Sequence, residues 1–150
     1  MAHQTLVVAT DSHLSPDMLS TAIAEAAGDA LGFPPFVEIL LPAVLPPAMP
    51  ISACPPRIAA RLSTLRDRAA ADLRTRHMRG RVEIVPCRSV PALLAAAEPV
   101  DTLVLAGRAG WTLRRAARGV APELIVVPGG RLRRRGAQRA AQPRALPGKP

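Results

Sequence analysis

Two short segments hold the residue types that could do chemistry. Residues 11–15, "DSHLS", place a carboxylate, two hydroxyls and an imidazole after one apolar run, and residues 107–110, "GRAG", place two glycines around an arginine after another. Glycine permits backbone geometries closed to other residues, and the amides at a helix N-terminus form a ready anion site. In the second loop, Gly107 suits an unusual φ and Gly110 lets a helix start close to a sheet. Arg108 adds a cation beside that helix end. Asp11 has two readings, a ligand contact or a cap for loop amides. Ser12 and His13 read as solvated loop residues, and His3 and His77 carry no site argument.

Catalysis needs a positioned nucleophile or an acid–base pair. The chain contains no Gly-x-Ser-x-Gly, His-Glu-x-x-His, complete Walker loop or Cys/His cluster. A binding or regulatory role is therefore favoured over an enzymatic one. Cys54 and Cys87 lie far apart and outside any metal-ligand spacing, so they read as structural thiols and no metal site is evident.

Positioning the two loops falls to an alternation of strand and helix patterns. Residues 5–10, "TLVVAT", have the continuous apolar, β-branched character of a strand buried on both faces of a parallel sheet. Ser15, Pro16 and Asp17 then supply a capping hydroxyl, a ring preset to helical φ and a carboxylate at the positive end of a helix dipole. This helix is expected to run to about Leu31, burying Leu19, Ile23, Ala26 and Ala30, and to stop at Gly32. A second strand is expected at 36–41. The next stretch, with six prolines from Pro42 to Pro56, is expected to be a surface loop.

Pro56 opens a second helix, expected to reach about Met78, in which Ile58, Leu62, Leu65, Ala69 and Leu73 recur at helical steps. Strands are further expected at 81–86, 100–106 and 123–128, with helices at 90–98 and 111–118. Gly119 would end the last helix in a left-handed conformation. Parallel strands joined by helices imply right-handed crossovers, hence a doubly wound, Rossmann-like α/β domain with helices on both faces of a five-stranded parallel sheet. Such sheets bind ligands beyond the carboxyl ends of the strands, where the winding reverses. In the order 3-2-1-4-5, strands one and four meet there and carry the two loops.

The segments "VVATDSHLSPDMLSTAIAEA" and "VDTLVLAGRAG...LIVVP" resemble the two hallmark ends of the universal stress protein family, whose fold is a five-stranded sheet in this order. The resemblance implies ATP or AMP binding in some members and dimers that meet through the last strand. Asp11 would then meet the adenine and ribose side, Ile39 or Leu40 would line the adenine slot, and Gly107 and Gly110 would approach the phosphates. The departure from the family is specific. ATP-binding members carry a third glycine followed by Ser or Thr, then a full helix before the last strand. Here eight residues separate Gly110 from Gly119, Val120 replaces the hydroxyl, and the final strand begins three residues later. The 16 residues between Ala106 and Glu123 leave room for one helix. The second half of the phosphate cradle is thus missing, and weak or lost adenine-nucleotide binding is expected. The alternatives are an ATP-binding member with slow hydrolysis and a nucleic-acid-associated protein.

That last alternative comes from charge. The chain is formally +9, yet seven of its 20 basic residues lie in 129–150, which has no acidic residue, leaving 13 basic against all 11 acidic residues in 1–128. Residues 129–150 hold two large aliphatic side chains, so this segment is expected to be a disordered basic tail making at most weak, non-specific contact with nucleic acid. The preceding 1–128 form the expected domain. Its core must be aliphatic, since hydrophobic residues make up 49% of the chain and aromatics 2%. With no apolar run long enough to span a bilayer and no secretory signal, a cytoplasmic location is expected.

Overall fold

Aliphatic runs alternate with amphipathic ones, and each forms the element its period favours. The computed structural model describes residues 3–28, 36–50, 52 and 54–127. Their elements are β1 (Gln4–Ala9), α1 (Pro16–Gly28), β2 (Phe36–Val44), α2 (Pro56–Thr75), β3 (Arg79–Cys87), α3 (Val90–Ala95), β4 (Thr102–Ala106), α4 (Trp111–Arg118) and β5 (Glu123–Val127). The expected first-helix end at Leu31 and Gly32, its buried Ala30 and the basic segment 129–150 lie outside the described residues.

The strands form one parallel sheet in the order β3-β2-β1-β4-β5, the doubly wound α/β arrangement expected. Thr5 faces Thr102 and Ala9 faces Ala106 across the central β1–β4 pair. Because successive strand residues point to opposite faces, each strand feeds two cores. Val7, Ile39, Leu41 and Val104 meet Leu19 and Ile23 of α1 and Leu62 and Leu65 of α2. Leu6, Val8, Leu103 and Leu105 meet Leu94 of α3 and Leu113 of α4 on the other side. Each fully buried leucine contributes about 2 kcal/mol. No aromatic residue joins the buried set among the described residues, and Trp111 is 72% exposed.

Local chemistry explains the ends of the helices. Ser15 Oγ accepts the Met18 amide at 3.2 Å, and Ser89 Oγ accepts the Ala92 amide at 3.1 Å. α2 stops at Thr75, short of Met78, because His77 turns left-handed at φ 54°. The His77 amide then reaches Arg74 O at 3.1 Å and the Met78 amide reaches Leu73 O at 2.9 Å, the paired closure of a Schellman end. α3 ends at Ala95, short of Glu98, because Glu98 precedes Pro99 and the ring disfavours helical geometry there.

Two expectations are corrected. Pro42 does not begin a loop: β2 continues through it to Val44. β1 pairs with β2 only as far as Leu40, whereas β3 pairs with it as far as Val44, so Pro42 lies where the strand has a neighbour on one side only. A missing amide is tolerated in such an edge position. Gly119 is not left-handed but has φ −78° and ψ −13°. α4 closes by tightened turns, with the Gly119 amide on Ala116 O at 3.2 Å and that of Val120 on Ala117 O at 3.0 Å. No helix among the described residues is long and apolar enough to cross a membrane.

Candidate functional site

The reversal point of the sheet lies between β1 and β4, and the loops leaving their carboxyl ends stand side by side. The Thr10 amide donates to Ala106 O at 2.9 Å, and Thr10 Oγ1 donates to the same carbonyl at 3.2 Å. This stitch holds the Asp11 turn against the Gly107 turn.

Asp11 is exposed, and its Oδ1 accepts the His13 amide at 2.9 Å while its carbonyl accepts the Leu14 amide at 3.2 Å. It therefore serves as the loop cap that its position allowed, through one of its two carboxylate oxygens. His13 Nε2 lies 3.2 Å from Arg61 Nη1 on α2. A guanidinium can only donate, so this contact is a hydrogen bond from Arg61 to the ring. This ring is engaged in tying the loop to α2.

Gly107 adopts φ +117°, and a Cβ there would stand 2.3 Å from Thr10 Oγ1. Its amide donates to Val127 O at 2.8 Å. That amide is thereby directed to β5 rather than to a ligand. Gly110 precedes α4 in extended geometry, φ −76° and ψ −179°, with nothing within 4 Å of where its Cβ would be. The expectation that Gly110 permits close helix–sheet approach is corrected: the space beside it is open. Arg114 Nε bonds Ala109 O at 2.9 Å and folds over the loop. Arg108 is exposed and makes no ion pair among the described residues. The start of α4 has no side-chain cap, which leaves its first amides without a side-chain acceptor.

Asp11, Gly107, Arg108 and Gly110 thus belong to two adjacent loops. Ile39 does not join them. It is wholly buried beneath α1 and α2, paired with Val7 and Val82 in the middle of β2. Leu40 points to the opposite core. Because β2 runs on through Pro42, the residues at its carboxyl end are Ala43 and Val44, the latter exposed.

Sequence reasoning passed over two arrangements. At the amino end of the sheet, Thr102 Oγ1 donates to Glu123 Oε1 at 2.7 Å and lies 2.9 Å from His3 Nε2, which satisfies a buried hydroxyl across three strands. On α4, the Arg115 guanidinium stands 5.2 Å from the centre of the Trp111 ring. The signal for the second was present in their spacing of four on a helix. Cys54 and Cys87 are free thiols, and burial pushes the Cys87 thiol pKa up. No group of three or more His, Cys, Asp or Glu among the described residues could hold a metal ion. No protein-family model matches the chain, and no curated protein matches it.

Proposed function

We propose that the protein is a cytoplasmic, homodimeric binding or regulatory domain organised like the universal stress proteins, taking an adenine nucleotide weakly in the crevice between β1 and β4. The observation that carries this reading is the left-handed Gly107 turn beside the Asp11 turn at the reversal point of the sheet. Open α/β sheets bind ligands at such points. The second carboxylate oxygen of Asp11 suits a ribose hydroxyl, and Arg108 with the α4 N-terminus suits the first phosphate. Beyond it the chain supplies little. The Gly107 amide is bonded to Val127, and one short helix fills the connection to β5.

Loss of two or three charge-assisted phosphate hydrogen bonds, each contributing about 1.5–3 kcal/mol, weakens binding by about two orders of magnitude or more. ATP is therefore expected to bind no tighter than roughly the high-micromolar range, with AMP differing little because the missing contacts are distal. Calorimetry of the full chain and of Asp11→Ala with AMP, ADP and ATP tests this. Sub-micromolar ATP affinity would return the protein to the ATP-binding, slowly hydrolysing class. Absence of binding by all three nucleotides removes the ligand from the proposal. The basic segment 129–150 adds weak, salt-sensitive and sequence-independent contact with nucleic acid to this reading, supported by its charge alone.

A further inference from the structure

Away from the crevice, α3 and α4 pack side by side, and a groove of about 460 Å³ opens between them. Leu94, Ala95 and Ala97 contribute one wall, and Arg115, Ala116 and Val120 the other. Leu94 and Val120 are buried and close its base, and the alkyl surface open to a partner is that of Pro91, Ala95, Ala97 and Ala116; Arg115 is exposed, so the rim is charged. The Arg115 guanidinium also lies over Trp111, which presents the largest exposed ring among the described residues. A single exposed apolar side chain is ordinary, but an exposed tryptophan joined through an arginine to an apolar groove has the composition of a binding hot spot.

Charge narrows the occupant. α4 carries Arg114, Arg115 and Arg118 and no carboxylate, and Arg108 precedes it. Arg108, Arg115 and Arg118 make no ion pair among the described residues, whose ion pairs fall on α1, α2, β2 and β3. The chain's own segment 129–150, with seven basic and no acidic residues, would be repelled. A second copy docked through the same face would set arginines against arginines. A nucleic acid would satisfy the charge and stack one base on Trp111, but phosphates and ribose have no use for an alkyl floor. Apolar anchors at steps of three and four, set among carboxylates, satisfy the floor and the rim together; this is the pattern of a helix seated in a groove.

We propose that the groove between α3 and α4 docks an acidic amphipathic segment of a partner protein, its apolar side chains against Pro91, Ala95, Ala97 and Ala116 and its carboxylates on Arg115. Trp111 borders the site and is the one tryptophan of the chain, so its fluorescence reports occupancy directly. The probe is a synthetic peptide with leucines at helical steps of three and four and glutamate or alanine elsewhere, titrated into the full-length chain. Saturable change in Trp111 emission is expected, with affinity lowered at least about tenfold by Arg115→Glu and by Ala116→Glu. Arg115 is exposed, so Arg115→Glu carries the test where Ala116→Glu proves unstable in a thermal melt.

Three results would overturn the proposal. The first is equal binding of a glutamate peptide of the same charge lacking leucines, which reduces the contact to charge. The second is undiminished binding by a folded Arg115→Glu chain, which moves the contact to another basic segment. The third is tighter binding, read at Trp111, of a single-stranded oligonucleotide or of phosphatidylserine vesicles, which assigns the surface to nucleic acid or to membrane.

Discussion

Gly107 is subject to two constraints at once. Its φ of +117° lies where L side chains are strained, and the space a Cβ would need is occupied by Thr10 Oγ1 at 2.3 Å. Gly107→Ala is therefore expected to cost about 2–4 kcal/mol, combining backbone strain of about 1–3 kcal/mol with loss of the Thr10–Ala106 hydrogen bond at about 1 kcal/mol. Gly110→Ala should cost less than about 1 kcal/mol, since its φ of −76° and open surroundings admit a methyl group. Urea denaturation measures both. Equal midpoint shifts for the two variants would mean that the first turn bears no special constraint. Both glycines were visible in the sequence, but their inequality was not, because the pressure on Gly107 comes from Thr10, just past the end of β1. Ile39 shows the same limit: its apolar character was legible, and its depth beneath α1 and α2 depended on where β2 ended.

At the scale of elements, legibility followed local chemistry. α1 begins where Ser15 and Pro16 announce it, and α4 occupies the one apolar-and-arginine run that the β4–β5 connection can hold. The ends that escaped sequence reading depend on partners or on uncommon conformations. Pro42 stays in β2 because β1 has already ended beside it, and His77 closes α2 in a left-handed conformation that Gly or Asn more often supplies. The Ser89 cap of α3 also went unread, since a six-residue helix gives little periodic signal before it. The two serine caps serve helices on opposite faces of the sheet; the Met18 amide shares its bond to Ser15 Oγ with the Ser15 carbonyl at 3.1 Å, and the Ala92 amide bonds Ser89 Oγ. Ser15→Ala and Ser89→Ala are each expected to lower stability by about 1 kcal/mol, and the double variant by about the sum, because the two sites share no partner. A double variant no less stable than either single variant in chemical denaturation would show that the two caps act through a common element.

For the whole molecule, the sheet order leaves β3 and β5 as its edges, and the two edges differ in chemistry. β3 carries Arg79, Arg81, Glu83 and Pro86, with Arg81 Nε bonded to Glu38 Oε2 at 2.8 Å and 3.2 Å from Glu83 Oε1. Charges and proline along a strand discourage pairing with another chain. β5 has one charged residue, Glu123, followed by Leu124, Ile125, Val126 and Val127, the first three of them half-buried. Its outer amides and carbonyls meet no sixth strand among the described residues. An unprotected apolar edge pairs most economically with its own copy, since a two-fold axis satisfies both edges with one set of contacts. The proposed homodimer should therefore form through β5 and not through β3. Light scattering coupled to size exclusion, at roughly tens of micromolar chain, is expected to give the mass of a dimer for the wild type and for Glu83→Lys on β3. Val126→Lys should give a monomer that retains its far-UV spectrum, because a charge on an edge strand opposes its pairing with another chain. A wild-type chain that stays monomeric throughout that range removes the dimer, and a Val126→Lys chain that remains dimeric moves its interface off β5.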